Sequence, residues 1–183
     1  MPPISLTQTQ LDSLVSAINA RPKSSLIYDS TVTGSAVTSI VIPALDIVLH
    51  KSYRIELEIL NSTATAFSLF LYSNTNLTAS NYSTEVINTA GTTNTASTVA
   101  NSTIGYCDIS SNSFIVMTLS LLSGGFIRWL SQCSRGSKVL SSLASLSGLN
   151  KIAVTNLTAL TLTSSVANSI GIGSRIRIYR GDC

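Results

Sequence analysis

The chain has 183 residues and a formal net charge of +3, and only 10% of its residues are charged, against about 25% in a typical soluble domain. Its 44% of apolar residues exclude wholesale disorder, and no apolar run approaches the length of a membrane-spanning helix. The basic residues are scattered, which argues against general nucleic-acid binding because phosphate recognition needs a clustered basic face.

Hydroxyl side chains fill the positions that charged residues occupy in other proteins. The chain contains 32 serines and 21 threonines. Threonine is β-branched and favoured in strands, and a surface with few charges repels its own copies only weakly. We therefore expect a subunit that packs against copies of itself.

The N-terminal residues carry the pattern of one short helix. Thr7 and Gln10 form a capping box, and the helix should end near Arg21 because Pro22 disfavours helical geometry in the residue before it. A helix this short is marginal in water, so its apolar stripe must dock on another surface. That surface is either the chain's own β-domain or a bundle of equivalent helices from neighbouring subunits. In the bundle, the oligomer interface is formed by Leu11, Leu14, Val15 and Ile18.

From residue 24 onward the hydrophobic period changes to two, which indicates strands. The Gly124-Gly125 pair predicts a hairpin turn, and residues 74–101, crowded with Asn, Thr and Ser, predict long loops around short strands. Strands are expected within residues 24–28, 36–42, 53–59, 66–73, 99–108, 114–122, 126–133, 152–163 and 174–180.

These elements predict an all-β protein, an antiparallel β-sandwich or jelly roll preceded by the short helix. We expect the chain to divide into two parts, a helical oligomerisation or attachment segment over residues 1–23 and a β-domain over residues 24–183. No βαβ pattern is present, which argues against a parallel sheet.

The sequence offers little for catalysis, and we expect no enzyme, no catalytic residue, no cofactor and no metal site. His50 is the single histidine and has no nucleophile signature near it. Cys107, Cys133 and Cys183 have no metal-ligand spacing and are expected as reduced thiols, the first two as small apolar residues within strands.

Two carboxylates leave a minor enzymatic alternative open. Glu56 and Glu58 share one face of a strand at about 7 Å, a separation that glycoside hydrolysis can use. A solvated strand face or a subunit contact gives the same pattern, and we favour that interpretation because Arg54 completes the face as a charge partner.

Other residues are candidates for contacts with partners. Arg175 and Arg177 share a strand face and are candidates for inter-subunit ion pairs with Glu56, Glu58 or Asp108. Tyr82 lies in the predicted loops and is the candidate for an exposed contact with a glycan. Trp129 is either an aromatic platform for a sugar or a core residue, and its apolar neighbours favour the core.

Three stretches carry a resemblance to a known group of proteins. They are LTQTQLDSLV at residues 6–15, KSYRIELE at residues 51–58 and IGIGSRIRIYR at residues 170–180. The chain resembles tailed-bacteriophage virion proteins, the small jelly-roll domains of tail, fibre and capsid-decorating components. This resemblance implies a homo-oligomeric virion component, often a trimer, with other virion proteins as partners.

The expected function is therefore that of a structural virion protein, with the virion as its location. The first eight residues have neither a basic region nor an apolar region of a signal peptide, so we expect synthesis in the host cytoplasm. The alternative is a receptor-binding module that holds a host-surface glycan through the loops of residues 74–101. Neither interpretation involves nucleic acid or insertion into a membrane.

Overall fold

Two antiparallel sheets packed face to face form the fold of this computed structural model, which describes residues 26–90, 93–109, 111–136 and 141–181. The strands are β1 (Leu26–Thr31), β2 (Ser39–Ile42), β3 (Ser52–Leu60), β4 (Phe67–Ser73), β5 (Tyr82–Ala90), β6 (Thr93–Val99), β7 (Thr103–Cys107), β8 (Asn112–Leu121), β9 (Ile127–Gly136), β10 (Ser141–Asn150), β11 (Leu160–Ser164) and β12 (Arg175–Gly181). A four-residue helix, α1 (Ile47–His50), and a 3-10 turn (Ala79–Asn81) lie between strands.

The order of the strands is that of a jelly roll with two insertions. The large sheet has the order β1-β12-β3-β8-β9-β10-β5-β6, and the small sheet has the order β2-β11-β4-β7. The chain alternates between the sheets as in a jelly roll when the pairs β5–β6 and β9–β10 are set aside. These four inserted strands extend the large sheet beyond β8. The sandwich predicted from the sequence is therefore confirmed.

Alternation along the strands explains the core. In β3, Tyr53, Ile55, Leu57 and Ile59 are buried while the residues between them face solvent, as the sequence predicts. Trp129 in β9 is 2% exposed, which confirms it as a core residue. Its ring lies over Gly148 of β10, where an added methyl group would overlap the indole.

A buried polar network attaches the inserted strands to the small sheet. The Tyr82 hydroxyl accepts a hydrogen bond from the Ser73 backbone N–H at 3.0 Å and donates to the Asn76 carbonyl at 2.8 Å. Asn150 Nδ2 donates to Ser73 Oγ at 2.6 Å. The three side chains come from β5, β4 and β10, so the network fixes β5 and β10 relative to the jelly roll.

This network corrects the expectation for Tyr82. The residue is 0% exposed, and its ring packs against Tyr72 and Trp129. An exposed glycan contact at Tyr82 is therefore wrong. The prediction failed because a tyrosine among Asn, Ser and Thr looks solvated in sequence, whereas its ring partners lie in the strands β4 and β9.

Three further expectations differ from the structure. Residues 74–101 contain the paired strands β5 and β6, of nine and seven residues, rather than long loops around short strands, because threonine-rich segments pair well in sheets. Strand β10 has no counterpart in the sequence prediction. The strand expected over residues 152–163 begins only at Leu160, since the Asn74 side chain accepts the Thr158 and Ala159 N–H groups and draws that backbone away from a strand partner.

The N-terminal helix and its stripe (Leu11, Leu14, Val15 and Ile18) lie outside the described residues, as does Cys183, so those expectations remain predictions. The short helix in the structure is α1, which Asp46 caps by accepting a hydrogen bond from the Leu49 N–H at 3.0 Å. No helix in the described part of the chain is long and apolar enough to cross a membrane.

The Tyr82 network gives a direct test of how the inserted strands are held. Tyr82→Phe keeps the ring but removes the hydroxyl, which leaves the Ser73 N–H and the Asn76 carbonyl each short of a buried partner. We expect the free energy of unfolding to fall by about 1–3 kcal/mol in urea denaturation. Tyr179→Phe is the matched control, because the Tyr179 hydroxyl makes only a 3.3 Å contact with Glu56 on the surface. Equal losses in the two variants would contradict the structural role of the network.

Candidate functional site

The outer face of the large sheet, turned away from the small sheet, divides into two halves. One half comprises β1, β12 and β3 and carries most of its charge, and we call it the charged half. The other comprises β8, β9, β10, β5 and β6, four of which are the inserted strands, and we call it the groove half.

Ion pairs within one chain neutralise the charged half. Arg175 donates two hydrogen bonds to the Asp29 carboxylate, from Nε at 2.8 Å and from Nη2 at 2.6 Å. Arg177 pairs with Glu58 and lies 3.5 Å from Glu56. Glu56 also pairs with Arg54 at 2.8 Å. In the cross-strand register Arg177 lies opposite Asp29 and Glu56, and Arg175 lies opposite Glu58. The Arg175–Asp29 and Arg177–Glu58 pairs are therefore diagonal contacts between neighbouring strands.

These pairs change the interpretation of two predicted interface residues. Arg177 does meet Glu56 and Glu58, as the sequence suggests, but within the same chain. Arg175 pairs with Asp29, which the sequence analysis missed because the two residues are 146 positions apart. Asp108 pairs with Arg135 at 3.6 Å. Arg175 and Arg177 remain predicted oligomer-interface residues. Ion pairs between subunits no longer support that prediction, because the carboxylates that pair with them lie in the same chain.

The groove half is concave and forms a depression of about 820 Å³ across five strands. One cross-strand row through it runs Val116, Gln132, Ser145, Ile87 and Ala96, from β8 to β6. The next row runs Thr118, Leu130, Ser147, Glu85 and Thr98. Among the described residues that line the groove, Glu85 is the one with a charge.

Large apolar side chains are exposed on this half. Ile87 is 54% exposed and Leu130 is 53% exposed, and Leu143 and Phe114 lie in the row beyond them with exposures of 47% and 43%. Contiguous exposed apolar surface on a soluble protein usually marks an interaction site. The groove half can therefore bind an apolar partner, with Ser, Thr and Gln side chains at its polar positions.

The edge of this half is also unprotected. Strand β6 ends the large sheet, and the structure assigns no described strand to its outer edge. Its exposed residues, Asn94 to Thr98, include neither a charge nor a proline. Natural proteins protect edge strands with lysine, proline or bulges, so this edge is available for pairing with another strand.

The groups considered for catalysis lie apart from the groove. The His50 ring packs edge-on against Tyr53 with ring centroids 5.8 Å apart. Burial raises the pKa of the Cys107 and Cys133 thiols, which disfavours the nucleophilic thiolate. No group of three metal-ligating side chains occurs within the ranges that the structure describes.

Comparison of the chain with protein-family models, curated proteins and solved structures finds no match. What the surface does must therefore be argued from its own geometry, since a fold alone does not fix a function.

The Asp29–Arg175 pair predicts a pH-dependent contribution to stability. The hydrogen bonds from Arg175 lower the pKa of Asp29 in the folded state. Since the unfolded value is about 3.9, the pair stabilises the fold above that pH, and the contribution disappears as the pH falls through the folded pKa. The wild type should melt above Asp29→Asn at pH 7, and the difference should shrink below about pH 4.

The control for this experiment is the same substitution in an Arg175→Met background. There, the effect of Asp29→Asn on the melting temperature should vary much less with pH, because the guanidinium that lowers the pKa of Asp29 most is absent and only the weaker effect of Arg177 remains. A wild-type advantage that grows on acidification would show that the pair is not the source.

Proposed function

We propose that the protein is a structural subunit of a tailed-bacteriophage virion and that it assembles as a homotrimer through the outer edge of β6. The observation that carries this proposal is the strand itself, which pairs with β5 on one side, has no described strand on its outer edge, and is free of charge and exposed from Asn94 to Thr98.

Edge pairing suits the chemistry of β6. A strand added to a sheet edge contributes main-chain hydrogen bonds that do not depend on side-chain charge. Serine and threonine on such a strand can also bond to hydroxyls across the new pair. A monomer with this edge exposed would risk uncontrolled aggregation, so a defined partner strand from another copy is the simpler arrangement.

The architecture supports assignment to a virion. Jelly rolls are recurrent building units of viral capsids and of lectins. Two of the three stretches that resemble phage virion proteins, residues 51–58 and 170–180, correspond largely to β3 and β12, which are neighbours in the large sheet.

The assembly proposal is tested by charging the edge. Thr95→Lys with Ser97→Lys places two cations on the inward-facing side of β6, where both positions are exposed. Sedimentation equilibrium should find three copies of 19.3 kDa for the wild type. The variant should dissociate at concentrations about tenfold higher or more, since lysines on an edge strand oppose its pairing with a strand of another copy.

Ser35→Lys is the matched control, because Ser35 is exposed in a turn away from β6. Its mass should equal that of the wild type. A wild type that sediments as a single chain, or a double variant with unchanged mass, would refute assembly through this edge.

The receptor alternative loses its named contact because Tyr82 is buried. In addition, none of the described residues lining the groove is aromatic, so the groove offers no ring for stacking against a sugar. We expect a glycan array probed with the oligomer to be uniformly silent, and mass spectrometry of purified virus particles to detect the chain. Specific glycan binding that Gln132→Ala abolishes would favour the receptor function instead.

A further inference from the structure

The groove half presents an apolar surface that needs an occupant. Its central residues, Leu130 and Ile87, are each more than half exposed, although they lie in the middle of a five-strand concave face. The occupant should be apolar on one side, and the position of the chain's own first described residue identifies a candidate.

We propose that the groove binds the N-terminal segment of the same chain, residues 6–21, with its apolar stripe packed on Leu130 and Ile87. The stripe consists of Leu11, Leu14, Val15 and Ile18, which share one face of the helix that the sequence predicts.

The chain enters the sheet at the level of the groove. Leu26 pairs with Tyr179, which pairs with Arg54. The same cross-strand row then continues through Thr118 and Leu130 and passes Ser147 to reach Glu85. Because the row crosses the strands, a segment that turns at Leu26 and follows this row over the outer face would meet the groove.

The length of the segment matches the distance. Strands lie about 4.8 Å apart, so β9 is about 19 Å from β1 and β5 is about 29 Å from it. Five residues reach at most about 17 Å from Leu26. With the helix rise of about 1.5 Å per residue added, Ile18 can reach about 21 Å from β1 and Leu11 about 32 Å from it. The stripe is therefore long enough to span β9 to β5.

The charges of the segment are compatible with this placement. Asp12 lies off the stripe by helical spacing, so it would face solvent. The N-terminal end of the helix, which carries the positive end of the helix dipole, would lie over β5 near Glu85. That carboxylate is the one charge among the described residues of the groove.

Cross-linking within the full chain tests the contact. In a Cys183→Ser background, Leu14→Cys with Ser145→Cys should be joined by a short bis-maleimide within one chain. Cys107 and Cys133 do not interfere, since both are buried and burial raises the pKa of their thiols. The control pair, Leu14→Cys with Val41→Cys, places the second thiol on the small sheet and should react about tenfold less, because only a docked segment has a high local concentration.

Denaturing gels separate the outcomes. A product of one-chain mass with linked peptides from positions 14 and 145 supports the proposal. A product of two-chain mass shows that the segment occupies the groove of another copy, and equal yields in both pairs show that it does not dock. Either of the last two results overturns the proposal.

A second measurement does not depend on cysteine chemistry. Leu14→Asp with Ile18→Asp should release the segment and increase the fluorescence of an apolar dye severalfold, whereas Ser13→Asp with Ser16→Asp, on the opposite helical face, should not. Strong dye binding by the wild type would mean that the groove is empty. Sedimentation of the same variants keeps this test separate from the trimer, because assembly through β6 should survive release of the segment.

Discussion

The hydrogen bonds of the Tyr82 hydroxyl hold together the part of the protein that distinguishes it from a plain jelly roll. Strands β5 and β6 form the far end of the large sheet, where β6 is exposed from Asn94 to Thr98. Tyr82 joins β5 to Ser73 in the small sheet, and Asn150 joins β10 to the same serine. Buried polar groups that are fully satisfied specify one arrangement, because any shift in register leaves them unpaired. The groove exists because these strands are fixed.

The two halves of the outer face differ in how their polar groups are satisfied. On the charged half, Arg175 and Arg177 meet carboxylates of neighbouring strands, so the ion pairs close within the chain. Such exposed pairs contribute little to stability, but they leave few charges to attract a partner. The groove half carries mainly hydroxyl and apolar side chains instead, so a partner bound there would be recognised by shape, with little dependence on salt.

The sequence predicted those elements whose signal is local. Strict alternation marked β3 and β12, and the Gly124-Gly125 pair marked the turn before β9, where both glycines adopt positive φ. Strand β10 was missed because its polar positions are mostly serine, which is common in loops. The packing of Tyr82 against Trp129 and the pairing of Arg175 with Asp29 join residues that are far apart in sequence. The groove arises from the curvature of five strands, which no local pattern encodes.

The groove and the β6 edge give a physical reason for the high content of hydroxyl side chains. Covering a charged residue in an interface costs several kcal/mol unless a partner is placed to match it. A hydroxyl costs less to bury and rotates to bond whatever backbone or side chain meets it. Thr98 and Ser145 can therefore be covered by strand, helix or another subunit without a matched charge. A chain that is enclosed by protein on several sides thus favours serine and threonine over lysine and glutamate.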